Sequence, residues 1–92
     1  MVDVIWGTVS RVIDGDTFEM KVTRRQGSNA QNYNDRETIR ISDKDAPELG
    51  GQKGRRAKRD LENALMNERV RCEVEARDTY GRVVAKVKKT GG

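Results

Sequence analysis

Acidic side chains are concentrated at two places in the sequence, each directly after an apolar stretch. The residues concerned are Asp14, Asp16, Asp43, Asp45 and Glu48. Because like charges a few ångströms apart repel, such groups are usually relieved by a bound cation, by arginines or by separation in the fold. Each of these residues also has an ordinary structural explanation. Asp14 could simply belong to a hairpin turn, Asp45 could belong to a loop turn, and Glu48 could be a solvated surface acid. Together they are candidates for a cation site.

The absence of histidine narrows the possible chemistry. The chain has no histidine and a single cysteine, Cys72, so it cannot form Ser-His or Cys-His nucleophile pairs, His-Cys zinc sites or an intrachain disulfide. Carboxylate, guanidinium, ammonium, phenol and hydroxyl groups remain for catalysis. Ligation by oxygen alone selects hard cations such as Ca²⁺ or Mg²⁺. The alternation of apolar residues places Cys72 on a buried face, so we interpret it as a core residue.

Two arginines could complete a site of this kind. Arg40 lies between Ile39 and Ile41 on the polar face of a predicted strand, so it should project toward the same side as the carboxylates that follow it. Arg82 lies in a turn region. The alternative to a role in the site is that it simply forms an ion pair with Asp78. The case for chemistry therefore depends on the combination of residues.

Size and composition favour one small domain covering residues 1–92. Apolar residues make up 34% and charged residues 37%, and the net charge of +4 indicates either a mild attraction to polyanions or a solvated surface. No apolar stretch approaches the roughly 18 residues of a membrane span, and the start lacks the features of a signal peptide. We expect a soluble chain that is cytoplasmic by default, although a mature secreted form or a fragment would look the same.

Hydrophobic periodicity predicts the elements that must position these residues. The predicted strands cover residues 5–13, 18–23, 37–42, 69–77 and 82–88, and residues 26–36 form a long polar loop. A helix over about 53–66 carries a narrow apolar stripe of Ala57, Leu61, Ala64 and Leu65. The fold class is therefore mainly β with one helix: a five-stranded OB-fold barrel with the helix between strands 3 and 4.

Three ordered motifs give the chain a family resemblance over nearly its whole length. They are Val12-Ile13-Asp14-Gly15-Asp16-Thr17, then Ile39-Arg40-Ile41 leading to Asp45-Ala46-Pro47-Glu48, and Asp78-Thr79-Tyr80-Gly81-Arg82. The chain resembles a staphylococcal nuclease-like (thermonuclease) domain. The family continues past the fifth strand with two further helices, whereas this chain stops near Lys88. The resemblance therefore implies a C-terminally truncated domain or a fragment of a longer protein. The loop at 26–36 is also longer than in the secreted bacterial enzymes.

The resemblance also implies roles for individual residues. Asp16 and Asp45 would hold Ca²⁺ through their carboxylates, and Ala46 would hold it through its backbone carbonyl. Glu48 would activate or orient the attacking water. Arg40 and Arg82 would neutralise charge on the phosphate during attack. Tyr80 and its neighbour Thr79 would contact the nucleotide.

The function implied by the resemblance is a Ca²⁺-dependent phosphodiesterase. Such an enzyme hydrolyses single-stranded or melted DNA or RNA to products with 3'-phosphate ends. The alternative is a non-catalytic OB-fold module that binds single-stranded nucleic acid, and a third reading is a structural or protein-interaction domain. Nothing in the sequence indicates a membrane partner or an obligate protein partner.

Overall fold

Five strands close into a barrel in the computed structural model, which describes residues 2–42 and 52–90. The elements are β1 Val4–Asp14, β2 Thr17–Gln26, β3 Arg36–Ile41, α1 Gln52–Leu65, β4 Arg69–Arg77 and β5 Val83–Lys89. The order around the barrel is β1-β2-β3-β5-β4, and α1 connects β3 to β4. The predicted OB-fold barrel with its helix between strands 3 and 4 is confirmed.

The first strand makes barrel closure possible because it pairs along both of its edges. β1 is antiparallel to β2 and also to β4, and its ladder with β2 shifts register at three places. Such irregularities bend a strand and increase its twist, as a small closed barrel requires. The parallel pairing of β3 with β5, which sets Ile39 opposite Val83, closes the remaining gap.

The barrel interior contains the apolar residues that the alternation predicted. Phe18, Met20 and Ile39 are completely buried, and so is Cys72, whose thiol lies 3.7 Å from the sulfur of Met20. Side chains of one parity along each strand face the interior, because successive residues point to opposite sides of a sheet. The interpretation of Cys72 as a core residue is confirmed.

The helix packs against β1 through a narrower stripe than the sequence predicted. Leu61 and Leu65 are buried as expected, but Ala64 is exposed and Gly54 is buried in its place. At about 100° per residue, Ala64 lies roughly 80° from the middle of the stripe formed by Gly54, Leu61 and Leu65.

Among the described residues, no helix is long and apolar enough to cross a membrane.

The long loop after β2 is tied to the barrel. It contains a short 3-10 turn, Ala30–Asn32, and the Tyr33 hydroxyl then donates a 2.7 Å hydrogen bond to the carboxylate of Asp3. Arg25 Nε donates to the Tyr33 carbonyl at 3.0 Å. Burial, together with the hydrogen bond to Asp3, raises the pKa of Tyr33 to about 12, so the phenol keeps its proton at physiological pH. The loop is therefore anchored to the barrel through Tyr33, which also packs against the core.

Candidate functional site

The turn between β1 and β2 holds two carboxylates close together. Asp14 ends β1, and its Oδ1 accepts a 3.1 Å hydrogen bond from the backbone N–H of Asp16. The Asp16 side chain is only 14% exposed, and its Oδ1 accepts a 2.9 Å hydrogen bond from the hydroxyl of buried Thr17. The local fold therefore fixes the position of Asp16 before any ligand binds.

The environment acts on these two carboxylates in opposite directions. Burial raises the pKa of Asp16, and the neighbouring carboxylate of Asp14 raises it further. Burial alone would also raise the pKa of Asp14, but hydrogen bonds from Asp16 outweigh this effect and lower it. It is unfavourable for these two half-buried carboxylates to be ionised at the same time. A positive charge placed beside them would therefore be stabilised. Asp14 therefore shapes the turn through its hydrogen bond with Asp16, as the turn reading expected, and its carboxylate lies beside that of Asp16.

Arg40 reaches this cluster from β3. The β2–β3 register sets Arg40 opposite Thr17, and the Nε of Arg40 lies 3.9 Å from Asp16 Oδ2. The N–H of Ile41 donates to the carbonyl of Asp16 at 2.8 Å, which ties the end of β3 to the β1–β2 turn. With its side chain 35% exposed, Arg40 faces both the carboxylates and solvent.

Arg82 approaches the same carboxylates from the turn between β4 and β5. Its Nε donates a 2.6 Å hydrogen bond to Asp78 Oδ2, so the ion pair considered from the sequence is present. Asp78 Oδ1 also accepts the backbone N–H groups of Tyr80 and Arg82 at 2.9 Å, which shapes the turn. The charge of Arg82 contributes to lowering the pKa of Asp14. Pairing with Asp78 therefore orients Arg82, which lies within electrostatic range of Asp14.

The tip of the same turn exposes an aromatic ring. Tyr80 is 84% exposed, and the guanidinium carbon of Arg82 lies 5.3 Å from the centre of its ring. Thr79 is exposed beside it. An exposed aromatic face next to a guanidinium offers a flat surface on which a planar group could stack.

An ion pair between a partly exposed arginine and a buried glutamate, which the sequence did not reveal, supports this turn. Both terminal nitrogens of Arg77 donate to the carboxylate of Glu37, at 3.1 and 3.2 Å, and one also donates to the carbonyl of Gly81 at 2.8 Å. Glu37 is 4% exposed and also accepts the N–H of Asn34 at 2.8 Å. From the strand periodicity, Glu37 was predicted only as part of a strand. A local sequence pattern cannot indicate pairing with a residue 40 positions away.

The structure thus brings together Asp14, Asp16, Arg40 and Arg82. The predicted residues Asp45, Ala46 and Glu48, and also Asp43, lie outside the described residues. Within residues 2–42 and 52–90 there is no group of three or more carboxylates or thiols placed to hold a metal ion. The described part of the site therefore supplies two carboxylates and two guanidiniums.

Comparison with known proteins adds one relative. The chain is similar to a nuclease. It is 32% identical over 81 residues to the micrococcal nuclease of Shigella flexneri, and this match covers 88% of the chain. The chain spans only 41% of that relative's length. No family model matches the chain. The likeness supports the resemblance to staphylococcal nuclease-like domains and favours a nuclease at a coarse level.

Proposed function

We propose that the chain is a Ca²⁺-dependent phosphodiesterase that hydrolyses single-stranded or melted DNA or RNA. The observation that carries this proposal is the position of Arg40, whose Nε lies 3.9 Å from Asp16 Oδ2, while the charge of Arg82 acts on Asp14 from a separate element. A site that combines acids with guanidiniums suits a phosphodiester, because phosphate oxygens require cationic partners. The similarity to micrococcal nuclease supports the same reaction class.

The donor set fits a hard divalent cation. Asp16 is half-buried, held by Thr17, and has its pKa raised by burial and by Asp14, so a cation beside it would relieve unfavourable charge. Its donors are oxygens, as Ca²⁺ prefers. Asp45 and the carbonyl of Ala46 are the proposed further ligands, supplied by the segment that follows β3. A bound cation would supply electrostatic neutralisation of the scissile phosphate.

The side chains of this chain would then act on the phosphate directly. Attack on phosphorus builds negative charge on the phosphoryl oxygens, and the guanidiniums of Arg40 and Arg82 would donate hydrogen bonds to them. Glu48 is the proposed acceptor of the proton from the attacking water, a role that typically contributes about 10²- to 10⁴-fold. The leaving oxygen would be the 5' oxygen of the next nucleotide, which gives a 3'-phosphate end. Tyr80 and Thr79 would contact a nucleotide next to the scissile bond.

A second candidate function is single-strand binding without cleavage. The observation in its favour is Tyr80, whose ring is 84% exposed beside Arg82 and could stack on a base without any reaction. The presence of Asp16 and Arg40 in one cluster favours the enzyme, since a binding module needs no half-buried carboxylate at the place where it would bind a phosphate. Cleavage separates the two candidates.

The test is incubation of the chain with end-labelled single-stranded DNA and RNA in Ca²⁺, in Mg²⁺ and in chelator. Glu48→Gln is the matched variant, because it removes the proposed proton acceptor while keeping the size of the side chain. We expect cutting in Ca²⁺ that chelator abolishes, that the variant lacks and that leaves 3'-phosphate ends. Strand binding without cutting by a chain that circular dichroism shows to be folded would favour the second candidate.

A further inference from the structure

A row of basic side chains crosses the outer wall of the barrel on both sides of Trp6. The strand register sets Arg24 of β2 and Arg71 of β4 opposite Trp6, and it sets Lys88 of β5 opposite Arg71. Neighbouring strands are about 4.8 Å apart, so the row spans roughly 14 Å across four strands. This first row consists of Arg24, Trp6, Arg71 and Lys88.

A second row lies directly beside the first on the same wall. Lys21 of β2 and Arg69 of β4 are both opposite Thr8 of β1, two residues from Trp6 and on the same face of the sheet. We call the two rows together the Trp6 face. It carries five cations, Lys21, Arg24, Arg69, Arg71 and Lys88, and neither row contains a carboxylate. Since the whole chain has a net charge of only +4, positive charge is concentrated here.

Trp6 fixes two of these cations in position. The guanidinium carbons of Arg24 and Arg71 lie 4.7 and 5.9 Å from the centre of its ring. The second of these also lies close to an acid, with Arg71 Nη1 3.7 Å from Glu73 Oε2. Cation–π contacts restrict the rotamers of the arginines, so less entropy is lost when they bind an anion. An ordinary solvated lysine surface lacks this preorganisation.

The Trp6 face is distinct from the candidate catalytic cluster. Asp14 lies eight positions after Trp6 along β1, which corresponds to about 26 Å along the strand. The cluster lies at the β1–β2 turn and the start of β5, whereas the Trp6 face uses the other end of β1 and the far end of β5. A ligand on this face would therefore be held away from the reacting groups.

We propose that the Trp6 face binds a single strand of nucleic acid. Its two rows of cations match the regular negative charge of a phosphate backbone, and the guanidinium planes beside the indole ring offer stacking surfaces for unpaired bases. A duplex would present phosphates but keep its bases inside. This inference goes beyond the proposed hydrolysis, because the face would hold a strand whether or not the chain cuts it.

The position of Trp6 gives a direct test, since it is the only tryptophan of the chain. An oligothymidylate of about 20 nucleotides, longer than a typical OB-fold site, is titrated into the protein in chelator, so that no cleavage interferes. We expect the emission of Trp6 to change and saturate, and the anisotropy of a labelled strand to report the same affinity. Binding to sites elsewhere, with the emission of Trp6 unchanged, would overturn the proposal.

Two charge-matched variants separate this face from general electrostatic attraction. Arg24→Gln/Arg71→Gln should weaken binding roughly tenfold and reduce the slope of log affinity against log salt by about 1.4, the value for two phosphate contacts to a single strand. Arg55→Gln/Arg59→Gln removes the same charge from exposed positions of α1 and should change binding much less. Equal weakening by the two variants would contradict the proposal.

Two further comparisons decide the identity of the ligand and the location of its site. Polyglutamate of similar charge should bind more weakly and leave the emission of Trp6 unchanged; an equal response would indicate an acidic protein partner instead. Arg40→Gln/Arg82→Gln should keep the response of Trp6 to oligothymidylate. Loss of that response would mean that the strand binds at the catalytic cluster. Because no divalent cation is present, failure here is distinguishable from failure of the proposed hydrolysis.

Discussion

Arg77 donates hydrogen bonds to both carboxylate oxygens of Glu37, at 3.1 and 3.2 Å, and a third to the carbonyl of Gly81 at 2.8 Å. The pair connects the beginning of β3 to the turn that carries Arg82 and Tyr80. Hydrogen bonds to the carboxylate of Glu37 raise the pKa of Arg77, although burial acts in the opposite direction. The position of Arg82 and Tyr80 in the candidate site therefore depends on the Arg77–Glu37 pair, which lies outside the site.

Removal of Arg77 should destabilise the fold. In Arg77→Met the carboxylate of Glu37, which is 4% exposed, loses its counter-ion and two hydrogen bonds. A buried charged group left without its partner costs about 2 to 3 kcal/mol when the lost partner is itself partly exposed. Urea unfolding at neutral pH measures the change in the free energy of unfolding.

Lys86→Met is the matched control for that prediction. Lys86 Nζ lies 4.0 Å from Glu75 Oε2, and both side chains are exposed, at 61% and 41%. Exposed pairs contribute about 0 to 1 kcal/mol because water solvates and screens the charges. If the two variants lost the same amount of stability, the special role of the Arg77–Glu37 pair would be wrong.

Asp16→Asn should stabilise the protein in chelator at neutral pH. The folded state raises the pKa of Asp16, chiefly by burial, so its ionisation costs stability as the pH rises through that raised value. Asparagine never ionises, and its side-chain oxygen can still accept the hydrogen bond of Thr17. We expect a gain of about 1 kcal/mol, in line with other substitutions that relieve an unfavourable functional site.

The pH dependence of that gain gives its internal control. Below the ordinary carboxyl pKa of 3.8, Asp16 is protonated in both the folded and the unfolded state, so the advantage of the variant should disappear. Thermal melts of the two proteins in chelator across the acidic range measure the difference. A gain that is the same at all pH values would rule out ionisation of Asp16 as its cause.

Gly27→Ala should be more damaging than Gly81→Ala. Both glycines have positive φ, +126° and +85°, but a Cβ at Gly27 would meet the carboxylate of Asp3 and lie 2.8 Å from its Cα, whereas nothing lies within 4 Å at Gly81. We expect about 1 kcal/mol of backbone strain for Gly81→Ala and roughly 3 kcal/mol for Gly27→Ala, where a clash adds to the strain. Unfolding of the two variants in parallel tests the anchoring of the long loop, and equal losses would contradict it.

Cys72 should be unreactive in the folded protein. It is completely buried, and burial raises the pKa of its thiol to about 12, so almost no thiolate is present at mildly alkaline pH. A thiol reagent such as Ellman's should react with it only after unfolding in concentrated urea. Rapid reaction of the native protein would mean that the barrel opens at β4 far more readily than its packing implies.

The sequence predicted the strands well because the alternation of apolar residues is a local property. The predicted strand at 37–42 and the observed β3 at Arg36–Ile41 differ by a single position. Ala64 was wrongly placed in the helix stripe because a small apolar residue satisfies the periodicity without having to be buried. The sequence already grouped Asp14 with Asp16 among the acidic candidates, because their spacing is local. The pairing of Glu37 with Arg77 could not, because it depends on tertiary structure.

The central claim is that the cluster around Asp16 and Arg40 hydrolyses phosphodiesters. The most direct measurement is the rate of Ca²⁺-dependent cutting of single-stranded DNA by Arg40→Gln beside Arg36→Gln, a matched charge loss at an exposed position of the same strand. The account predicts a loss of about 10²- to 10³-fold for Arg40→Gln, because a donor to the developing charge is removed, and little change for Arg36→Gln. Equal rates for the two folded variants, or cutting that persists in chelator, would contradict it.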